Sequence, residues 1–173
     1  YKLAGDIEPV CKEVLVDIYT AAIDNFLNVL SPKLWPEMQA LFTESALRKP
    51  RHWRLPLLAC EAIGGEPVRA VPAVTAIGCL HIGILLVDDM LDSDPRGKHH
   101  HLGMPVTANI ATALQSVGLE AICQSNASID TKLNAIRGLH QMMLTTALGQ
   151  HMDAQNPKER GLNNCPVLVF RYP

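Results

Sequence analysis

The sequence predicts an all-α protein, a helical bundle built around one nearly all-apolar helix. Two observations predict it. Apolar residues recur at helical spacing along most of the 173-residue chain. No segment before Pro157 alternates apolar and polar residues as a half-buried strand does.

The elements follow in order. Glu8 to Leu30 carries Val10, Val14, Ile18, Ala22, Phe26 and Leu30 four apart, one apolar stripe of an amphipathic helix. Ser31 then Pro32 reads as an N-cap followed by proline in the first turn, opening a second helix that runs to about Leu47. "RKPRHWR", Arg48 to Arg54, is a basic loop. Leu55 to Ile63 is a short helix stopped by Gly64-Gly65. Pro67 to about Leu91 is the central apolar helix. The loop "SDPRGKHHHLGMP" is rich in turn residues. Val106 to Gln124 and Thr131 to Gln155 are two more helices, and the helical period is lost after Pro157.

Composition narrows the class. Hydrophobic residues make up 48% and charged residues 18%, enough for a packed core. A net charge of −2 and few aromatics leave no nucleic-acid footprint. Five scattered cysteines without a C-x-x-C read as reduced thiols of a cytoplasmic protein. Ala70 to Val87 approaches the length of a membrane span, but it carries Pro72, Thr75 and His81 and runs straight into acids. It is expected to be a buried core helix.

That helix ends in "ILLVDDMLDSDPRG", with Asp88, Asp89, Asp92 and Asp94 close together. Two readings stand: a solvated helix end, or a cation site. Acids at a helix C-terminus oppose the macrodipole, which weighs against the first. His81 and Asp88 are nearly eclipsed on the helix, and Asp92 follows one turn later on that face. The Asp88 and Asp92 carboxylates are expected about 6 Å apart. On a largely buried helix, two such anions need compensation, and Mg²⁺ supplies it while keeping positions for water and phosphate oxygens.

Three further stretches bear on chemistry. Thr146, Gln150 and Asp153 form a polar line on the last helix, either lining a cavity or facing solvent. The loop with Arg48, Lys49, Arg51, His52 and Arg54 suits a polyanion, or is an ordinary basic turn. Consecutive histidines His99 to His101 point in different directions and are a poor chelating set, while Arg96 and Lys98 beside them suit phosphate.

In this order, the basic loop, "LPLLACEAIGG", His81, "DDMLD", "RG" and "GQHMD" resemble the trans-isoprenyl diphosphate synthases, or polyprenyl synthetases. The resemblance covers roughly residues 10 to 157. It implies an isoprenoid-synthase helical bundle, incomplete in this chain, with 1–157 as the N-terminal part of the domain and 158–173 as an irregular tail. It implies a Mg²⁺-dependent head-to-tail condensation of isopentenyl diphosphate with an allylic diphosphate, in a homodimer that meets membranes only through its product. "DDMLD" matches the first aspartate-rich motif, in which Asp88 and Asp92 bind the metal. Lys49 matches the lysine of Gly-Lys-Arg, and His81 a histidine or glutamine touching the isopentenyl diphosphate. Arg96 matches the second arginine of Arg-Arg-Gly. Gln150 is expected among the catalytic groups and Asp153 beside the substrates. Gly83 and Ile84 fall where the family shapes its chain-length pocket; glycine there implies an open pocket and a C20 or longer product.

The sequence also departs from the pattern. Pro50 and His52 stand where arginines are expected, and Arg51 or Arg54 is the candidate replacement. Pro95 replaces the first arginine of Arg-Arg-Gly, and no second D-D-x-x-D occurs in the chain. The expectation is therefore the N-terminal half of a synthase, with little turnover alone. Two alternatives accompany it: a non-catalytic or regulatory subunit of the same fold, and a class I terpene cyclase.

Overall fold

A computed structural model describes the backbone of residues 7–30 and 35–155, and the side chains within residues 18–30 and 35–155. Among the described residues every element is helical. They are α1 (Ile7–Val29), α2 (Pro36–Leu47), α3 (Leu55–Ala62), α4 (Val71–Leu91), α5 (His99–Leu102), α6 (Met104–Gln124) and α7 (Ile129–Gln155). Short 3-10 turns at Arg51–Arg54 and Pro67–Ala70 lead into α3 and α4.

Local sequence explains most boundaries. Prolines open α2, α3, α4 and α6, each in a first turn where the missing N–H costs no helical hydrogen bond. The proline signal expected at Pro32 is realised at Pro36, with Trp35 at the N-cap; Ser31 and Pro32 lie outside the described residues. Ser128 caps α7, its hydroxyl accepting from the Thr131 N–H at 3.3 Å. The loop expected between α4 and α6 is shorter than its turn residues suggested. His99–Leu102 forms one helical turn, and α6 starts at Met104 rather than Val106. The tail after Pro157 lies outside the described residues.

α4 sits at the centre, packed most extensively on α6 and then on α1 and α2. Small residues allow the close α4–α6 approach: a Cβ at Gly118 would stand 3.1 Å from Cys79 Cβ and 3.2 Å from the Ala76 carbonyl oxygen. Phe26 of α1 and Phe42 of α2 stack with ring centroids 4.2 Å apart, both fully buried, each worth about 1.5–3 kcal/mol of apolar burial. Thr75 anchors α4 to α1, its buried hydroxyl shared between the Val71 and Ala22 carbonyls at 3.1 and 3.3 Å. Pro67–Leu91 and Met104–Gln124 are both long and apolar enough to cross a membrane. The first lies mostly buried among other helices, as a core helix does.

Candidate active site

The C-terminal end of α4 sets the first part of the site. Asp92 is the C-cap, its N–H donating to the Asp88 carbonyl at 2.9 Å. Ser93 then takes a left-handed conformation, φ +54°, which turns the chain out of the helix. The helix is largely buried as expected, but its acidic end is solvated. Asp88 and Asp92 are exposed, so water already stabilises their charge and burial alone does not demand a cation. Asp89 is the half-buried one. Its carboxyl is pushed up by burial and then by the neighbouring Asp94 and Asp88 charges.

α7 completes this end. Gln150 Nε2 lies 3.4 Å from Asp88 Oδ1, a long hydrogen bond between residues 62 positions apart. Of the polar line on α7, Thr146 donates to its own helix at Met142, and Asp153 is exposed. The line therefore meets α4 at Gln150 and otherwise faces outward. No α7 side chain is buried among the described residues.

The basic loop is not a plain surface turn. Its middle residue, Trp53, is fully buried, with its ring centroid 5.3 Å from Phe42 and 6.4 Å from Tyr19. Tyr19 donates its hydroxyl proton to the Pro50 carbonyl at 2.8 Å, tying α1 to the loop. Lys49 holds a left-handed φ of +51°, just past the end of α2. A non-glycine residue there costs on the order of 1 kcal/mol. Trp53 Nε1 donates to His81 Nδ1 at 3.2 Å, which joins the loop to α4. The His52 ring packs edge-on against His81 at 4.1 Å. Burial first, and the His52 charge second, push the His81 imidazole down to about 4. A neutral His81 follows at neutral pH.

The cations sort into two groups. Arg48 and Lys98 both pair with Glu44 of α2, and Arg96 grips Asp94 through Nε and Nη2 at 3.1 and 2.8 Å. The Arg96 side-chain and backbone hydrogen bonds pull Asp94 down to about 2. Lys49 and Arg51 are exposed and make no ion pair among the described residues. Arg96, expected as a phosphate ligand, must therefore leave or share Asp94 to act as one. The Arg54 Nε is enclosed without a hydrogen-bond partner.

Two expectations change. The open pocket at Gly83 is replaced by a helix contact, because a Cβ there would stand 3.2 Å from the Ala111 carbonyl oxygen of α6. Ile84 beside it is half-buried. The three histidines do not all diverge: His99 is buried, yet its ring centroid lies 4.1 Å from that of the exposed His100, whose Nε2 lies 3.0 Å from the Asp94 carbonyl oxygen.

No three His, Cys, Asp or Glu side chains gather as a cation cage among the described residues. Asp88 and Asp92 at an exposed helix end suit the other mode of divalent binding. Mg²⁺ takes one or two carboxylates and completes its octahedron with water and phosphate oxygens. The donor set fits that group.

This all-α bundle, with a carboxylate pair at the C-terminal end of α4, a neutral histidine midway along that helix and exposed cations in the loop after α2, has a fold of the isoprenoid-synthase type. Its backbone superposes on a geranylgeranyl pyrophosphate synthetase from the archaeon Geoglobus acetivorans with a TM-score of 0.71, 21% sequence identity, over 84% of this chain and 49% of that one. The polyprenyl synthetase family model matches residues 50–167, and the chain belongs to that family. It is 28% identical over 126 residues to the mitochondrial geranylgeranyl pyrophosphate synthase 6 of Arabidopsis thaliana, covering 69% of this chain and 38% of the relative. It is 33% identical over 106 residues to large subunit 2 of the heterodimeric geranylgeranyl pyrophosphate synthase of that plant, covering 56% and 28%. The chain thus spans less than half the length of these relatives.

The sequence pattern singles out Asp88, Asp92, His81, Lys49 and Gln150 as candidates but not Trp53. The available signal was a large aromatic inside a run of cations, which has no reason to stay in water.

Proposed function

We propose that this chain is part of a polyprenyl diphosphate synthase that joins isopentenyl diphosphate head to tail to an allylic diphosphate. The observation that carries the reading is the meeting of Gln150 with Asp88. It brings the G-Q-x-x-D and D-D-x-x-D stretches together at one end of α4. Asp88 and Asp92 would hold Mg²⁺, which when bound supplies the charge that stabilises a departing diphosphate. Lys49 and Arg51, exposed and without an ion pair among the described residues, offer their charge to diphosphate oxygens. The allylic C–O bond breaks with its electron pair leaving on the diphosphate. The isopentenyl double bond then attacks the allylic carbon, and transfer of a proton to the departed diphosphate restores a double bond. The apolar faces of α4 and α6 keep water from quenching the cation.

A homodimer is part of this reading. Ile129, Leu133, Leu144, Leu148 and Met152 are exposed along α7, more apolar surface than one helix usually leaves in water, and this supports further protein packing there.

The test supplies Mg²⁺, an allylic diphosphate and labelled isopentenyl diphosphate to the full-length protein. Labelled products of greater chain length support the proposal. Diphosphate release without them supports a class I terpene cyclase. A non-catalytic subunit is the second reading, favoured by Pro50 and His52 in place of arginines and by the His52 ring lying against His81. No reaction, with tight binding to a partner synthase, supports it.

A further inference from the structure

The contact between Trp53 and His81 carries information that neither residue has alone. An indole N–H is a donor only. With Trp53 Nε1 3.2 Å from His81 Nδ1, that ring nitrogen must accept, and so cannot bear a proton. A neutral imidazole with Nδ1 accepting carries its proton on Nε2. The imidazolium, which has two N–H groups and no acceptor, is incompatible with the contact.

The indole is held where this contact needs it. Trp53 is fully buried against Phe42 and Tyr19. Its ring lies over Gly78, where a Cβ would stand 2.9 Å from Cη2 and Cζ3. The Tyr19 hydroxyl pins the loop three residues earlier in the chain, at the Pro50 carbonyl. His52, the titratable group packed on His81, adds a second unfavourable influence on protonation there.

We propose that Trp53 is a positioning residue that fixes His81 as the Nε2–H tautomer, so that His81 meets a diphosphate oxygen as a neutral hydrogen-bond donor and not as a cation. The choice of ligand rests on the synthase reading above; the tautomer does not. The cations of such a site are then Lys49 and Arg51, and His81 contributes direction. One oriented N–H selects where an oxygen sits, whereas a mobile ammonium attracts any anion nearby.

The test has two independent arms. In ¹⁵N NMR of the histidine-labelled chain near neutral pH, His81 should show a protonated Nε2 and an acceptor-type Nδ1. A protonated Nδ1 overturns the proposal. Replacing Trp53 with benzothienylalanine keeps the ring shape and removes the N–H, and Trp53→Phe is the coarser version. Either should move the Nδ1 resonance and raise the His81 titration midpoint by about half a unit or more. An unchanged midpoint and resonance also overturn it. The binding arm uses inorganic diphosphate with Mg²⁺. His81→Gln, which keeps a neutral acceptor and donor, should bind within roughly threefold of the original, while His81→Lys should lose about tenfold. Equal or tighter binding by His81→Lys would make the group a cation site and sink the proposal. Absence of diphosphate binding by the unaltered chain would sink the synthase reading, and the NMR arm would still decide the role of Trp53.

Discussion

Gln150 of α7 and Asp88 of α4 meet at 3.4 Å although 62 residues separate them, and this contact closes the end of the bundle where the acids lie. A neutral amide donor can hold a carboxylate without neutralising it, which leaves Asp88 its charge for a cation. Gln150→Glu should therefore lower Mg²⁺-diphosphate affinity less than Asp88→Asn. The new carboxylate is itself a ligand type for Mg²⁺, whereas the amide removes one charge. Titration calorimetry with inorganic diphosphate checks it. An Asp88→Asn protein binding as well as the original would remove Asp88 from the metal site.

Lys49 combines a strained backbone with an exposed cation. Lys49→Gly should raise stability by about 1 kcal/mol, because glycine reaches φ +51° without the Cβ clash. The same change should weaken diphosphate binding. A denaturant melt and a binding isotherm on one variant read both effects. A variant that is less stable and binds normally would contradict both halves of the argument.

The histidine on α4 makes stability depend on pH. Its folded value of about 4 lies below the ordinary 6.5, so between those limits the unfolded chain binds a proton that the folded chain refuses. Stability should therefore fall as pH drops through that window, by about 1–2 kcal/mol once solvent access to the half-buried ring is allowed for. Melts of the original and His81→Gln across the window isolate this contribution from the carboxylates. Parallel curves would show that His81 is not the source.

Gly83 decides between two pictures of α4. Glycine to alanine in a helix interior gains about 1 kcal/mol of propensity, but the added Cβ would meet the Ala111 carbonyl oxygen at 3.2 Å. A phenylalanine has no room to escape that backbone. Gly83→Phe should cost about 1–3 kcal/mol by forcing α4 and α6 apart. An open pocket at this position would instead leave the melting temperature unchanged.

Much of this site was legible because helical spacing is a local property. His81, Asp88 and Asp92 share a face by arithmetic alone, and the G-Q-x-x-D pattern placed Gln150 on another helix. Exposure was not legible. The acids follow an apolar run without a break, and whether Asp88 and Asp92 stay in water depends on what packs against the end of α4, which no count of apolar residues reveals. Pairing of cations was equally hidden. Arg96 and Lys98 look alike in sequence to Lys49, but their carboxylate partners lie in a neighbouring turn and in α2.

The sequence by itself determined that the described residues form an all-α bundle, where the central helix runs, and which side chains can bear chemistry, since period, prolines and residue type act within a few positions. Only the tertiary structure decided what those side chains meet. It buried a tryptophan under a basic loop, aimed its N–H at His81, set Gly83 against α6, and brought Gln150 onto Asp88. Each of these depends on distances between helices that are set by packing the whole core, and a single stretch of chain does not encode such distances.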